Sequence, residues 1–255
     1  MSLSWTTRLA LMAYGLAARL GLTETRLGRR LFLWAYSLYK RRAEARHAAR
    51  LLDYIPPDST VIDVGANVGF FTRLFARHLG QGGRVIAIEP ETRNAADLRA
   101  MLAREGLATR VTVVQALAAD QEGERLLALD PLHPANHRIG AQGVPTPART
   151  LDSLVSQTER VSLIKIDVQG AELLVLHGAQ TILRQHKPAL YVEVSDVDLR
   201  RFGTSAEALL NYLAGQGYAF FSLGEGQTTP LKEQEALAQA LARGYADVLC
   251  LAYEA

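Results

Sequence analysis

The sequence predicts an α/β protein built on a doubly wound, mostly parallel sheet. From residue 60 onward, apolar runs of strand length alternate with stretches of helical periodicity. Several of these runs are apolar without interruption, which is typical of strands buried on both faces of a sheet. A glycine-rich turn, "DVGANVG", joins the first strand to the first helix. Ligands of such sheets bind beyond the carboxyl ends of the strands, where this turn would lie.

Seven runs have the character of strands. In chain order they are "VIDV", "RVIAIE", "VTVVQA", "VSLIKID", "ALYVEV", "YAFFSL" and "DVLCLAY". Helical patterns between them cover residues 70–79, 94–105, 171–183, 206–216 and 236–242. The segment 129–147 stands outside this order because it holds four prolines and two histidines. We interpret it as a long irregular loop, and loops of this length are often functional lids.

Residues 1–52 differ from the rest in charge and in pattern. Residues 1–50 contain ten Lys/Arg and two Glu, a charge of +8, whereas the remainder has 18 basic and 24 acidic residues, a charge of −6. Helical periodicity covers residues 3–20 and 27–54, and the prolines of "YIPPDS" end it. We therefore predict a basic amphipathic helical arm over residues 1–52, followed by one α/β domain over residues 53–255.

The arm has two readings that the sequence leaves open. It packs on the domain as a helical cover with its arginines in solvent, or it contacts a membrane surface through residues 1–42, with Trp5 and Leu9 toward the lipid. The apolar run 9–18 is shorter than the roughly 20 residues of a spanning helix. The single cysteine, Cys250, suits a reducing compartment. We expect a cytoplasmic protein, peripheral at the inner face of the membrane in the second reading.

The turn in "DVGANVGF" does not match the motifs that bind a diphosphate. A dinucleotide fingerprint starting at Gly65 needs glycine at two later positions, where the chain has Asn67 and Phe70. A Walker A loop is excluded because no Gly-Lys-Ser/Thr closes the turn. Gly65 and Gly69 still allow the backbone to approach a ligand closely. Asp63, by contrast, is a poor neighbour for a diphosphate.

Glu89 ends the second predicted strand, 20 residues after Gly69. A carboxylate at this position is placed to accept both hydroxyls of a ribose, and charged hydrogen bonds of this kind contribute about 1.5–3 kcal/mol each. The pairing of Asp63 and Glu89 with an uncharged turn fits an adenosine ligand that has a positive centre and no diphosphate. S-adenosylmethionine is such a ligand. Alternatively, the two carboxylates only cap helices of an unliganded sheet.

Four segments, "DVGANVGFFT", "AIEPE", "RTLDSL" and "LIKIDVQGAELLVLHGA", together resemble the FkbM-type family of S-adenosylmethionine-dependent methyltransferases. The resemblance covers residues 53–193 in register and extends more loosely to residue 253. It implies a Rossmann-like class I methyltransferase fold, with a seven-stranded sheet whose last strand is antiparallel. It also implies O-methylation of a sugar, a glycan or glycolipid, or a secondary metabolite. The family more often has Glu where this chain has Gln169.

The resemblance further implies which residues bind the cofactor. Asp63, Gly65, Asn67 and Gly69 would line its methionine half, Glu89 its ribose, and Ala116 and Leu117 its adenine, with Ala66 and Pro90 beside them as further contacts. Because the pattern at Gln169 departs from that of the family, the resemblance assigns no chemical role to this side chain.

Methyl transfer to a hydroxyl benefits from a general base, since a sugar hydroxyl is a weak nucleophile. Asp167 ends the fourth predicted strand and Glu193 nearly ends the fifth, so both should face the ligand. His137, in the irregular segment, is a third candidate. Asp167 could instead cap the helix that follows it. Asp167 and Glu193 could also share a divalent metal, but two carboxylates without a clear third ligand are weak support, and we predict no metal site.

Two other functions remain open from the sequence. One is a catalytically silent scaffold that binds S-adenosylmethionine, and the other is a nucleotide-dependent oxidoreductase, against which the missing glycines argue. Methylation of nucleic acid bases is disfavoured because the chain has no Asn-Pro-Pro-aromatic motif and no Pro-Cys pair. The acidic domain also argues against binding of phosphates. We therefore expect a small-molecule or glycan acceptor and no nucleic acid partner.

Overall fold

The structure is a computed structural model of the chain. The residues that it describes are Gly28 and the ranges 45–129, 138–156, 159–223 and 227–253. Most of the predicted N-terminal arm, and the candidate base His137, lie outside these residues, so their roles stay predictions. No helix among the described residues is both long enough and apolar enough to cross a membrane.

The described strands form one large and one small sheet. They are β1 (Thr60–Val64), β2 (Arg84–Ile88), β3 (Val111–Val114), β4 (Leu117–Ala118), β5 (Gly123–Ala128), β6 (Arg138–Ile139), β7 (Val144–Arg149), β8 (Val161–Ile166), β9 (Ala189–Val194), β10 (Tyr218–Leu223), β11 (Thr228–Leu231) and β12 (Ala246–Ala252). The large sheet has eight strands in the order β11-β10-β12-β9-β8-β1-β2-β3, and the small one has four in the order β4-β7-β5-β6.

The large sheet is parallel in its centre and antiparallel at one side. β1 pairs in parallel with both β2 and β8, while β12 runs antiparallel between β9 and β10. The predicted doubly wound sheet with an antiparallel last strand is therefore confirmed. β11 is an additional eighth strand, which the polar run "TTPL" did not indicate. Its proline is tolerated because β11 is an edge strand, where a missing backbone donor costs little.

The described α-helices cover both faces of the large sheet. They are α1 (Ala45–Leu51), α2 (Phe70–His78), α3 (Thr92–Arg104), α4 (Leu151–Leu154), α5 (Glu172–His177), α6 (Gln180–His186), α7 (Asp196–Arg201), α8 (Ala206–Gly215) and α9 (Glu233–Arg243). Successive residues of β1 face opposite sides, as strand geometry requires. Ile62 belongs to a core cluster with residues of α5, α6 and α8, whereas Val61 belongs to a cluster with residues of α1, α2 and α3.

The small sheet corrects the prediction of an irregular loop over residues 129–147. β6 and most of β7 lie in that range, and β7 pairs antiparallel with β5. The prolines suggested a loop, yet Pro145 and Pro147 pair with Leu126 and Glu124 within the sheet. Their nitrogens lie along one edge of β7 because they are two residues apart, and β4 covers β7 only from Ala148 onward. That edge needs no donor from either proline.

The predicted helix over residues 171–183 is two helices, α5 and α6. The break falls at Gly178, where an added Cβ would lie 2.0 Å from the carbonyl oxygen of Ala119. α6 then starts anew because the carboxylate of Asp152 accepts hydrogen bonds from the amides of Thr181 and Ile182, at 2.9 and 3.0 Å. A continuous apolar pattern hid this restart, since the capping residue lies far away in the sequence.

The end of the predicted arm packs on the domain. α1 and a following 3-10 helix, Leu52–Tyr54, cross the predicted boundary between residues 52 and 53 without a linker. Ala48 and Leu51 of α1 are buried in the same cluster as Phe75 of α2. This part of the arm is therefore a cover for the sheet, while the division into an arm and a domain remains a prediction.

Candidate functional site

The carboxyl ends of β1, β2, β8 and β9 meet at one edge of the large sheet. The chain runs from β1 outward to β2 and β3, and then returns on the other side of β1 with β8 and β9. A crevice forms at such a switch of direction, because the connections that leave the two central strands diverge to opposite faces. The predicted site residues Asp63, Glu89, Asp167 and Glu193 all belong to these strands or directly follow them.

The turn after β1 uses three residues in the left-handed backbone region: Gly65 with φ 74°, Asn67 with φ 50° and Gly69 with φ 90°. Glycine is required at position 65 for a second reason. A Cβ there would lie 1.9 Å from the carbonyl oxygen of Asp167, so the turn after β1 rests directly on the backbone after β8. Asn tolerates the left-handed region better than most residues, which accounts for Asn67.

Each of the five amides of this turn, residues 65–69, donates to an acceptor within the protein. The amides of Gly65 and Ala66 both donate to the carbonyl of Ile88 at 3.0 Å, and the amide of Asn67 donates to Oε2 of Glu89 at 2.8 Å. The amide of Val68 donates to Oδ1 of Asn67 at 2.7 Å, and that of Gly69 donates to the carbonyl of Ala66 at 2.9 Å. A phosphate-binding loop presents free amides to its ligand. The five amides here are committed, so the turn offers a diphosphate no donors.

Glu89 is a buried carboxylate whose contacts are neutral donors. It is 4% exposed. Its Oε2 accepts from the amide of Asn67, and its Oε1 accepts from the amide of Glu91 at 3.0 Å and from Nδ2 of Asn94 at 3.4 Å. A carboxylate has about four acceptor positions, so this set leaves capacity for a ligand hydroxyl. Burial raises the pKa of Glu89 to about 7, against the lowering effect of these hydrogen bonds.

Asp167 follows β8 and faces the crevice. Its amide donates to the carbonyl of Val64 at 3.2 Å, and its side chain is 29% exposed. Gln169, with φ 57°, lies two residues further on. Its Nε2 donates both to Oδ1 of Asp167, at 3.3 Å, and to Oε2 of Glu193, at 3.0 Å. One amide group therefore holds the two predicted carboxylates close together.

Glu193 is a carboxylate whose pKa is raised by its neighbours. Its pKa is raised well above the ordinary value, first by the charge of Asp167, then by burial and by the charge of Asp247. Asp247 lies directly opposite Glu193 in the pairing of β9 with β12. Two close carboxylates resist simultaneous ionisation, so the raised pKa of Glu193 favours the protonated form of Glu193 beside Asp167.

Lys165 and Asp63 form a buried ion pair behind these carboxylates. Lys165 is 3% and Asp63 is 0% exposed, and the two face each other in the pairing of β1 with β8. The Nζ of Lys165 lies 3.4 Å from Oδ1 of Asp63 and 3.6 Å from Oδ2 of Asp167. Oδ2 of Asp63 accepts from the hydroxyl of Thr72 at 2.6 Å. Asp63 thus has no exposed surface with which to contact a ligand directly.

Glu172 stabilises the turn after β8 from within the protein. Its Oε1 accepts from the amides of Gly170, at 3.1 Å, and Val168, at 3.4 Å. Burial raises the pKa of Glu172 to about 7. The helix α5 begins at Glu172 and its N-cap residue is Ala171, so Asp167 does not occupy the N-cap position of that helix.

The residues predicted near an adenine follow β3. The amide of Glu89 donates to the carbonyl of Val114 at 3.1 Å, so the end of β3 lies beside the buried carboxylate. Ala116 and Leu117 are buried just beyond it, and Pro90 is half-buried after Glu89. The predicted set is thus gathered at one edge of the sheet, apart from His137, which lies outside the described residues.

Sequence reasoning missed Lys165 and the bridging role of Gln169. A signal existed, since Lys165, Asp167 and Gln169 alternate in "KIDVQ" as residues on one side of an extended chain do. This alternation could not indicate that Lys165 donates to the carbonyls of Val64 and Gly65 at the end of β1. Among the described residues, no group of three or more His, Cys, Asp or Glu side chains is arranged to hold a metal ion.

The sequence of the chain matches a known protein family. A sequence model described as "Methyltransferase FkbM domain" matches residues 63–220 of the chain. The AMB antimetabolite synthetase AmbE of Pseudomonas aeruginosa is 28% identical over an alignment of 205 residues, and the match covers 64% of this chain and 10% of that protein. Methyltransferase 1 of Beauveria bassiana is 28% identical over an alignment of 148 residues, and the match covers 48% of this chain and 59% of that protein. The chain matches less than two thirds of the length of either relative.

Solved structures resemble the chain in fold. Cofactor-bound Rv0187 from MTB is 19% identical, with a TM-score of 0.50, and the match covers 93% of this chain and 96% of that one. Methyltransferase FkbM from Methylobacillus flagellatus KT is 22% identical, with a TM-score of 0.48, over 76% of this chain and 44% of that one. At 19% identity, the similarity to Rv0187 supports the fold class and nothing more specific.

Proposed function

Because the chain belongs to the FkbM family of S-adenosylmethionine-dependent methyltransferases, we propose that it methylates a hydroxyl group of a sugar, a glycan or glycolipid, or a secondary metabolite. One observation carries this proposal. The turn after β1 rests on the backbone of Asp167, whose amide donates to the carbonyl of Val64 at 3.2 Å. The turn that we propose as the nucleoside site and the pair of carboxylates thereby lie at the same edge of the sheet.

The residues around the turn fit the proposed cofactor. S-adenosylmethionine supplies a methyl group on a positively charged sulfur that is a good leaving group, so the protein's main task is orientation. Glu89 would accept from the ribose hydroxyls, since its contacts leave acceptor capacity and no cation among the described residues pairs with it. Committed amides in the turn match a ligand without phosphates.

The other predicted cofactor residues differ in how they would act. Gly65 and Gly69, with Ala66 and Asn67 between them, would border the methionine half through their backbone, and Pro90, Ala116 and Leu117 would flank the nucleoside. Asp63 would act indirectly, because it has no exposed surface and its carboxylate faces Thr72 and Lys165. We thus assign Asp63 to the support of the turn rather than to ligand contact.

Asp167 is the residue that we assign as general base. Its side chain is 29% exposed, while the charge of Asp167 and burial raise the pKa of Glu193 and favour the protonated form of Glu193. With a proton on Glu193, Asp167 would keep its charge and could take the proton from an acceptor hydroxyl as that oxygen gains the methyl group. Glu193 and Gln169 would orient Asp167. His137 stays a second candidate base.

The donor is tested first, without any knowledge of the acceptor. Mass spectrometry of the purified chain should detect co-purified S-adenosylmethionine or S-adenosylhomocysteine, and isothermal titration calorimetry should show binding of S-adenosylhomocysteine. Co-purification of a nicotinamide dinucleotide alone would contradict the proposal.

The acceptor is tested with a labelled donor. The chain is incubated with S-adenosylmethionine that carries a deuterated methyl group and with a panel of hexoses, glycolipid extracts and hydroxylated metabolites. We expect the label on an oxygen of one class of acceptor. Tight binding of the donor with no transfer to any hydroxyl would favour the alternative function, a silent scaffold that binds S-adenosylmethionine.

We further propose that the protein is cytoplasmic and that residues 1–42 contact the inner face of the membrane, which would suit a lipid-linked glycan as acceptor. The support is the excess of basic residues in the arm and its apolar residues at helical spacing. Flotation with vesicles that contain phosphatidylglycerol compares the full chain with a chain that begins at Ala43. Equal partitioning of the two would contradict the membrane contact.

A further inference from the structure

Lys165 is a charged residue in the interior of the large sheet. Its ammonium lies 5.4 Å from the centre of the Phe71 ring and faces Asp63 on the neighbouring strand. Burial of two charges carries a large desolvation cost, and a buried ion pair is often no more stable than an apolar pair of the same volume. Stability of the fold therefore does not account for Lys165, and its contacts have to be considered individually.

The ammonium of Lys165 contacts two regions of the site at once. Its Nζ donates to the carbonyl of Gly65 at 3.0 Å and to the carbonyl of Val64 at 3.3 Å, which are the first residue of the turn and the last residue of β1. The same Nζ lies 3.6 Å from Oδ2 of Asp167. The carbonyl of Val64 also accepts from the amide of Asp167. Lys165 therefore links the turn to Asp167, next to the direct hydrogen bond between Asp167 and Val64.

We propose that Lys165 is a positioning residue that fixes the turn after β1 and the carboxylate of Asp167 relative to each other. The inference rests on the proposed function, which makes the turn the donor site and Asp167 the base. In-line transfer requires the donor and the base to be aligned within a fraction of an ångström. One side chain that bonds to both regions supplies that alignment without touching either ligand.

The surroundings of Lys165 argue against a chemical role of its own. A lysine acts as a nucleophile or base only after it loses its proton. Here two carboxylates and two carbonyl oxygens face the ammonium and stabilise its charge. Its hydrogen bonds go to the two carbonyl oxygens, and the carboxylates at 3.4 and 3.6 Å add charge attraction that keeps the proton on the ammonium. Asp63 completes the arrangement, because its second oxygen also holds the hydroxyl of Thr72 in α2.

Three variants of the full chain test the proposal. Lys165→Met removes the ammonium and leaves Asp63 unpaired, so it is compared with the double variant Lys165→Met/Asp63→Asn, which buries no net charge and is the version expected to fold. Arg84→Met is the matched control. Arg84 is the first residue of β2, at the opposite edge of the same sheet, and the substitution removes its ion pair with Glu159.

Two measurements are made on each folded variant. Calorimetric titration with S-adenosylhomocysteine should show about tenfold weaker binding in the double variant, the loss expected when hydrogen bonds from a charged group are removed. Hydrogen–deuterium exchange should become faster in residues 64–69 and 167–170, and not in the rest of the sheet. Arg84→Met should lower the thermal midpoint yet leave the affinity and the exchange of these two segments unchanged.

The outcomes separate this inference from the proposed function. Affinity within twofold of the parent and unchanged exchange in both segments would overturn the role of Lys165. An equal loss in Arg84→Met, or faster exchange throughout the sheet, would overturn it as well, since the effect would then be general destabilisation. A parent chain that fails to bind S-adenosylhomocysteine would refute the proposed donor instead, while the exchange data would still report on the contact between the two segments.

Discussion

The two sides of the crevice are held in different ways. On the donor side, which comprises residues 64–69 and Glu89, main-chain amides donate to fixed acceptors and the charge of Glu89 rests among neutral donors. On the acceptor side, which comprises Asp167, Gln169 and Glu193, side chains of like charge are held together by one amide group. The amides of the turn are therefore paired before a ligand binds, whereas the arrangement of Asp167, Gln169 and Glu193 depends on the protonation of Glu193.

The two sides differ in whether the main chain or the side chains make their contacts. Main-chain contacts do not depend on most side chains, whereas the contacts among Asp167, Gln169 and Glu193 are made by the side chains themselves. Perturbed carboxylates such as Glu193 mark the part of the site where chemistry is adjusted. Substitutions on the two sides should therefore affect different measured quantities, and four predictions use this separation.

The largest effect is expected from Asp167→Asn on the acceptor side. Loss of the general base should lower the rate of methyl transfer by about 10²–10⁴-fold, while the affinity for S-adenosylhomocysteine stays within about threefold. Initial rates with an acceptor from the labelled screen and calorimetric titration measure the two quantities. Asp120→Asn, which removes a surface partner of Arg125, is the control and should change neither. A variant of Asp167 that keeps a third of the rate would contradict its assignment as base.

On the donor side, Gly65→Ala should weaken ligand binding strongly. The new Cβ would lie 1.9 Å from the carbonyl oxygen of Asp167 at a φ of 74°, so the two strand ends must separate. We expect an affinity loss of about 100-fold and a loss of stability of about 2–4 kcal/mol, as for other strained or overpacked sites. Gly215→Ala is the control, because a Cβ there meets no atom within 4 Å. Wild-type affinity in Gly65→Ala would contradict the close packing of the two sides.

A smaller loss of affinity is expected from Glu89→Gln. The neutral side chain accepts weaker hydrogen bonds from a ribose, and a charged hydrogen bond contributes about 1.5–3 kcal/mol, equivalent to roughly 10–100-fold in affinity. Calorimetric titration with S-adenosylhomocysteine measures the loss. Glu105→Gln, which changes a surface partner of Arg73 and Arg77, should bind as the parent does. Equal affinities in the parent and Glu89→Gln would exclude Glu89 as the ribose ligand.

The smallest effect is a dependence of donor affinity on pH. Burial raises the pKa of Glu89 to about 7. The ionised form accepts from the ribose, so binding of S-adenosylhomocysteine should weaken as the pH falls from 8 to 6, by at most about tenfold per pH unit below that pKa. Glu172 has a similarly raised pKa but lies behind the site. In Glu89→Gln the slope between pH 8 and pH 6 should therefore disappear, and a slope that persists would assign it to another group.

Local patterns in the sequence were sufficient to predict where the turn after β1 and Glu89 lie in the fold. Strand-length apolar runs placed Glu89 at the end of β2, and the positions of Asn67 and Phe70 showed that the turn lacks the glycines of a dinucleotide site. These features depend on residues close together in the chain. The convergence of Asp167 and Glu193 was also predictable, because parallel strands bring their carboxyl ends to one edge.

Features that depend on distant parts of the chain could not be predicted. Prolines indicated a loop where β7 pairs with β5, because an edge that needs no donors has no sequence signature. The break between α5 and α6 is caused by Asp152 and by the approach of Ala119 to Gly178. Lys165 followed the strand pattern as one polar residue among apolar ones, and only the fold brings it to the carbonyl of Gly65.

The committed amides of residues 65–69 have a consequence for the choice among cellular metabolites. Many abundant molecules share an adenosine moiety, and Glu89 would attract the ribose of any of them. If the turn borders the donor as proposed, it would disfavour ligands with a phosphate chain, since such a chain would meet the buried carboxylate of Glu89 and amides that already have acceptors. Such rejection costs the intended donor nothing. Fluctuations in the pools of ATP and of dinucleotides should therefore leave occupancy of the crevice unchanged.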